Sequence, residues 1–343
     1  MRAPGFYFEP PGIAALLLSP LAVLYGAAVA ARMRRSGKRA QVPVICVGNL
    51  TLGGAGKTPT ALALAKLLAA MGERPVFLSR GYGGSERGPL VVTLGEHDAA
   101  DVGDEPLLLA RAFPTVVARD RVAGAALAVE QGASVLVLDD GFQSPDLEKD
   151  LALLVIDAAS GIGNGAVFPA GPLRAPLEAQ LGRAHAIVCV GAGGGADLAL
   201  VQAAAANVPA FAARLAPDAH AAKGLAGRKV LAFAGIGHPE KFFATLRELG
   251  AEVVETRAFG DHHRYSAAEA ADLLLAAKGR GLQPVTTEKD LARMQGERKL
   301  AELATATKVL AVRLEFLDAG AMRKLLEGAL AKARAVQRSL RPG

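Results

Sequence analysis

An α/β fold built on a mostly parallel sheet, with an apolar helix before it and a smaller α/β unit after it, is predicted by three observations. Runs at residues 42–47, 75–79, 134–139, 151–156 and 186–190 are apolar almost throughout, as strands buried on both faces are. Helical patterns at 60–71 and 122–131 fall between the first three runs, an alternation that covers a parallel sheet with helices. After Arg228, the stretch KVLAFAGIGHPEKFFATLRELGAEV reads as strand, loop, helix and turn, and further strand-like runs occur at 283–286 and 308–312. We therefore expect a membrane-associating segment over 1–39, a first α/β domain over 40–224 and a second over 225–343.

The whole chain sets limits on these elements. Its 343 residues can divide a core between two domains, and 51% hydrophobic against 21% charged residues excludes extensive disorder. The net charge of +6 suits an anionic ligand or an anionic membrane surface. Nucleic acid is not expected as a partner, because Trp is absent and no basic tract is interleaved with aromatics. Cys46 and Cys189 both lie in apolar runs and read as buried thiols of a reducing compartment.

Residues 12–31, GIAALLLSPLAVLYGAAVAA, carry no charge, and Arg32, Arg34, Arg35, Lys38 and Arg39 come directly after them. Twenty apolar residues in a helix span about 30 Å, enough to cross hydrocarbon, and the basic cluster would keep the rest of the chain on the cytoplasmic side. Pro20 and the many alanines leave an interfacial anchor equally open.

The next signal is GNLTLGGAGKTPT, residues 48–60, at a strand-to-helix junction. Gly53, Gly54, Ala55 and Gly56 keep bulk away from amides that face an anion, Lys57 reaches the terminal phosphates, and Thr58 is placed to hold magnesium. Pro59 suits the first helical turn, where its missing N–H is not needed. The strict motif has glycine at position 51, where this chain has Thr51. This loop implies a nucleotide site for ATP with Mg²⁺.

VLVLDDGFQ then ends in Asp139 and Asp140, carboxylates at a strand end that suit a metal bound beside phosphates. DVGDEP places Asp101, Asp104 and Glu105 in a stretch that reads as a compact acidic loop, where one carboxylate would orient an acceptor hydroxyl and take its proton. Arg80 and Tyr82 come after the second strand and are candidate substrate contacts; Arg119 and Arg121 are weaker ones. In FGDHHRYSAAEA, Ser266 and Glu269 have capping-box spacing, which leaves His262 and His263 on the loop entering a helix. TTEKD starts another capped helix and places Lys289 early in it. The residues suit a kinase for a small or lipidic alcohol; the alternative is a membrane-associated P-loop switch or assembly ATPase acting on a protein partner.

PGFYFEP with LLLSPLAVLYG, GNLTLGGAGKTPT, LSRGYGG, GDEP, VARDR, LVLDDGFQ, GNGAVFPAGPLR, GDHHRYS and VTTEKD together resemble the tetraacyldisaccharide 4'-kinase family, in the family's order and over residues 4–290. The resemblance implies a P-loop α/β/α sandwich with a smaller α/β/α domain. It also implies ATP- and Mg²⁺-dependent phosphorylation of the 4'-hydroxyl of a tetraacyldisaccharide 1-phosphate at the cytoplasmic face of the bacterial inner membrane, with no obligate protein partner. Carried over residue by residue, it puts Lys57 and Thr58 at ATP and magnesium, Asp104 at the acceptor as base, Asp139 and Asp140 at the metal, and His262 beside the catalytic carboxylate. Arg80, Tyr82, Gln143 and Arg174 are then expected to contact the substrate or the residues that do. One departure stands out: Ala175 comes after GPLR where the family has an acidic residue, and Glu178 is the nearest candidate to compensate.

Overall fold

The computed structural model describes residues 4–339, so 1–3 of the first expected segment and 340–343 of the last lie outside the described residues. Its thirteen strands, in chain order, are β1 (Val44–Asn49), β2 (Pro75–Ser79), β3 (Leu90–Val91), β4 (Thr115–Val117), β5 (Val135–Asp139), β6 (Leu151–Asp157), β7 (Ala186–Val190), β8 (Ala210–Pro217), β9 (Lys229–Ala234), β10 (Glu252–Ala258), β11 (Gln283–Thr287), β12 (Lys308–Leu310) and β13 (Val312–Phe316). The helices are α1 (Ile13–Met33), α2 (Lys57–Ala70), α3 (Ala99–Val102), α4 (Asp104–Ala110), α5 (Arg121–Glu130), α6 (Leu177–Leu181), α7 (Asp197–Ala205), α8 (Ala219–Ala222), α9 (Pro239–Glu248), α10 (Ala267–Arg280), α11 (Glu288–Met294), α12 (Ala301–Ala306) and α13 (Ala319–Ser339).

Nine strands form one sheet in the order β13-β8-β7-β6-β1-β5-β2-β4-β3. Only its edges are antiparallel, β13 on β8 and β3 on β4. Every residue of β1 and β5 is buried, because both faces of these central strands are covered. One core layer takes Met33 of α1, Ala125 of α5, Leu181 of α6 and Ala199 of α7. The opposite layer takes Leu64 and Leu68 of α2, Leu109 of α4 and Leu326 of α13. β1 pairs with β5 on one side and β6 on the other, so the chain's direction across the sheet reverses at β1. A crevice opens there at the strands' carboxyl ends, where ligands of open α/β sheets bind.

The second sheet is parallel, in the order β10-β9-β11-β12, and is packed by Phe243 and Leu246 on one face and by Leu273 and Met294 on the other. The expected second unit over 225–343 needs correction. After β12 the chain returns to the first sheet, where β13 pairs with β8 and α13 packs Met322, Leu326 and Leu330 against the layer of α2. Apolar residues at that spacing make one helical stripe, and the surface left bare beside α2 is able to bury it.

Close approach explains Gly48. A Cβ there would stand 2.4 Å from the Cβ of the buried Phe142, which covers the end of β1. Gly48→Ala is therefore expected to cost about 1–3 kcal/mol through overpacking, read as an earlier midpoint in a urea titration; an unchanged midpoint would mean that the Phe142 loop yields freely.

Candidate active site

The loop after β1 is shaped by its own backbone. Asn49 donates its side-chain amide to the Gly53 carbonyl at 2.8 Å, and Gly56, at φ 90°, turns the chain into α2. Beyond the adjoining residues, none of the described residues lies within 4 Å of where a Cβ of Gly53 or Gly54 would stand. For Gly53 the positive φ explains glycine; for Gly54 nothing among the described residues does, and the free space is that of a cradle for something else. Thr51 replaces the motif's glycine without strain, since its φ is not positive and it bridges to Leu173 instead.

Lys57 and Thr58 are buried at the start of α2. The Lys57 ammonium is 3.2 Å from Asp140 Oδ2, while Arg174 holds Oδ1 at 2.7 Å and donates from Nε to the Thr51 carbonyl at 3.0 Å. Asp140 thus has both oxygens paired, and its φ of 55° is rare for a residue with a side chain. Asp139 differs: it is buried at the end of β5, and neither of its oxygens finds a hydrogen-bond partner among the described residues. Burial, and then the Glu105 carboxylate, push its carboxyl up to about 7 despite Lys57 nearby. A bound cation would satisfy such a group, so of the three expected metal ligands Asp139 and Thr58 fit a divalent ion, whereas Asp140 is taken by Lys57 and Arg174.

The expected acidic loop 101–105 is instead a junction of two short helices. Asp98 and Asp101 form a capping box on α3, Gly103 at φ 88° bends the chain, and Asp104 opens α4 with Oδ1 accepting from the Glu105 N–H at 3.0 Å. A Cβ on Gly103 would stand 2.4 Å from the Tyr82 carbonyl oxygen; this close approach fixes the strand-end loop of Tyr82 against Asp104.

Three groups of the second unit reach this junction. Arg293 donates to Asp104 Oδ2 from Nε at 2.8 Å and from Nη2 at 2.5 Å, and His262 Nδ1 lies 3.3 Å from the same oxygen. Lys289 pairs with Glu105 at 2.8 Å. Burial pushes the Asp104 carboxyl upward, but the hydrogen bond from His262 and the charges of Arg293 and Lys289 outweigh it and hold it well below the usual carboxylate range. The bond to Asp104 raises His262 in turn. Behind them Asp290, fully buried, accepts from Tyr265 Oη at 2.9 Å, the Gly235 N–H at 2.9 Å and Arg293 Nη1 at 3.1 Å. His262 is itself at φ 56°. The two histidines diverge: His263 stacks on Phe259 and meets Glu269 at 3.0 Å.

A cleft between the units is lined by Tyr82, Asp104, His262, Arg264 and Arg293. Tyr82 is 75% exposed and meets the His262 ring edge-on at 6.0 Å; Arg80 is exposed and forms no side-chain bond among the described residues. Gln143 turns inward, donating to the Asn49 carbonyl at 3.0 Å and to Gln180 Oε1 at 3.1 Å, so it and Arg174 shape the phosphate loop rather than face the cleft. Ala175 is fully buried, and its carbonyl accepts from Gln180 at 2.8 Å. An acidic side chain there would stand in the packed layer behind the loop. Glu178 does not replace it, being exposed and unpaired among the described residues.

Sequence reasoning missed Arg293 and Gln180. Nothing local marks either: one is the second basic residue of TTEKDLARM, the other the glutamine of the short segment LEAQL. Burial of both, which only the fold provides, is the signal.

The chain is similar to known proteins over nearly its whole length. The family model for tetraacyldisaccharide-1-P 4'-kinase matches residues 14–331. A tetraacyldisaccharide 4'-kinase of Methylobacterium sp. (strain 4-46) is 57% identical over 338 residues, 98% of this chain and 99% of the relative, and one of Bradyrhizobium sp. (strain BTAi1 / ATCC BAA-1182) is 54% identical over 334 residues, 97% of each chain. The crystal structure of LpxK from Aquifex aeolicus in complex with ATP superposes with a TM-score of 0.70 at 29% identity, covering 93% of this chain and 100% of the other. With the phosphate loop, the aspartate pair and the Asp104 junction in place over that whole length, the chain belongs to the tetraacyldisaccharide-1-P 4'-kinase family.

Proposed function

We propose that the protein transfers the γ-phosphoryl group of ATP to the 4'-hydroxyl of a tetraacyldisaccharide 1-phosphate, forming the bis-phosphorylated lipid A precursor. The observation that carries this reading is Asp104, a carboxylate held in the cleft by His262 and Arg293 from the opposite unit. A switch that only hydrolyses nucleotide has no need of an acceptor site of this kind.

The loop amides of 53–58 and Lys57 hold the triphosphate, and Lys57 arrives oriented by Asp140, which Arg174 steadies in turn. Thr58 and Asp139 would hold magnesium, whose charge offsets that of the phosphate oxygens. Asp104 is a weak base in this geometry. Its task is to accept the hydrogen bond of the acceptor hydroxyl and receive the proton late, as the hydroxyl becomes acidic during transfer. His262, half exposed, holds Oδ2 from the cleft side and steadies the carboxylate for that task. Tyr82, on the cleft wall, is the side chain offered to the sugar, and Arg80, exposed two residues before it, is the cation offered to its phosphate.

The protein works at the cytoplasmic face of the bacterial inner membrane. α1 buries one stripe, including Ala22, Gly26 and Met33, with Gly26 seated near Pro176 and Val167. The other side exposes Ile13, Leu16, Leu17, Leu21 and Leu24. A helix that keeps one face on the body and offers the other to solvent favours lying in the membrane surface over crossing it. Withdrawing four acyl chains would cost about 0.8 kcal/mol per CH₂, so the enzyme goes to its substrate.

The test is transfer of label from γ-labelled ATP to a tetraacylated glucosamine disaccharide 1-phosphate in mixed micelles with magnesium. Wild type should yield labelled lipid, and Lys57→Ala should lower the rate by about a hundredfold or more. Release of inorganic phosphate alone by folded, ATP-binding protein would overturn the reading and favour the switch.

A further inference from the structure

The membrane face suggested by α1 has a neighbour. α7 buries Ala199 and Ala203 in the core layer that receives Val29 and Met33 of α1, so both helices cover the same face of the large sheet and turn their outer sides away from it. The outer side of α7 carries Leu198, 55% exposed, and Val201, 67% exposed, three residues apart on one helical face. Ala204 and Ala205 continue the exposure. Between Arg183 and Arg214 the chain has no lysine or arginine, and Asp197 is its single acidic residue. A helix that faces water on one side carries several charges there; this one carries Asp197 alone, at its first position.

Backbone contact joins the starts of the two helices. The short helix Gly5–Phe8 precedes α1, and its Tyr7 carbonyl accepts from the Asn164 N–H at 2.7 Å. Two residues before Gly163, which packs under that same carbonyl, Gly161 sits against the Gly195 backbone, leaving no room for a Cβ. Asp197 then opens α7.

We propose that α7 is a second membrane-contact element, which enters the lipid interface through Leu198 and Val201 alongside α1. This rests on the reading of α1 as membrane-facing. The residues favour lipid over a protein partner: Leu198 and Val201 are aliphatic, without the Trp, Tyr or Arg anchors on which protein interfaces depend, and they stand over the same sheet face as α1. Two contacts on one sheet face fix the tilt of the body, and so the height of the cleft above the lipid, where one helix alone would leave it free to roll.

The chain contains no tryptophan, so a single introduced one is an unmixed reporter. Full-length Val201→Trp and, separately, Leu17→Trp on α1 would be bound to phosphatidylethanolamine/phosphatidylglycerol vesicles carrying dibrominated acyl chains. The expected result is a blue shift and bromine quenching at both positions. Quenching of Leu17→Trp without Val201→Trp would overturn the proposal and leave the α1 reading intact; quenching of neither would overturn both. In support, the Leu198→Glu/Val201→Glu pair should lower vesicle partition about tenfold with ATP affinity unchanged, and wild-type partition of that variant would also overturn it.

Discussion

Exchanging Asp104 for asparagine is expected to lower kcat by about two to four powers of ten, the range of a general acid–base group, while the Kd for ATP stays within about threefold. The side chain keeps its shape, so the Glu105 N–H still has its acceptor. The exchange removes the charge that draws the hydroxyl proton and that pairs Arg293 and His262 on one oxygen. The nucleotide loop is spared, because its own polar contacts run through Asn49, Asp140 and Arg174. Label transfer gives kcat and equilibrium titration gives the ATP affinity. Wild-type turnover would remove the carboxylate from proton acceptance.

Arg293→Ala is expected to have the second large effect, a loss of about 3–5 kcal/mol in stability, as when one partner of a buried ion pair is removed. Both side chains are almost fully buried, 4% and 6% exposed. The truncation leaves Asp104 charged in a dry junction, and deprives the Gly235 carbonyl and Asp290 of a donor as well. Because Arg293 and Asp104 belong to different units, the junction should loosen: amide exchange over α4 and α11 should speed up more than over β1 or β5. Arg293→Lys keeps the charge but not the paired donors, and should recover part of the loss. The pH dependence has a definite sign. With its carboxyl held below the usual range, Asp104 contributes stability that is present above the unfolded carboxylate value, about 4, and is lost on acidification below it. An Ala variant as stable as wild type at neutral pH, or one that loses stability with acid just as wild type does, would show that the ion pair contributes nothing.

Much of the scaffold was legible because short-range chemistry dictates it. The runs that became β1, β2, β5, β6 and β7 are apolar since both sheet faces are covered. Thr287 and Ser266 cap α11 and α10 as their spacing foretells. The return of β13 and α13 to the first sheet was not legible, because strand pairing over about a hundred residues of sequence leaves no local trace. The acidic stretch 101–105 misled for a related reason. Two helices of four and seven residues are too short to show a period, and Gly103 reads as loop until its left-handed bend is seen to end one helix and begin the next.

Residue types and near-neighbour spacing set out the chemistry on offer: a phosphate loop with its lysine and threonine, a carboxylate pair at a strand end, an acidic residue after a glycine, a histidine before a capped helix, and an apolar first helix. These depend on residue type and near-neighbour spacing, which the chain carries locally. How the carboxylates divide their surroundings depends on the folded chain. It leaves Asp139 unpartnered among the described residues in the buried crevice, ties Asp140 to Lys57 and Arg174, and grips Asp104 with an arginine 189 residues away. The physical reason is that a carboxylate's role is set by its desolvation and by the charges around it, and both come from segments that the fold, not the sequence order, makes neighbours.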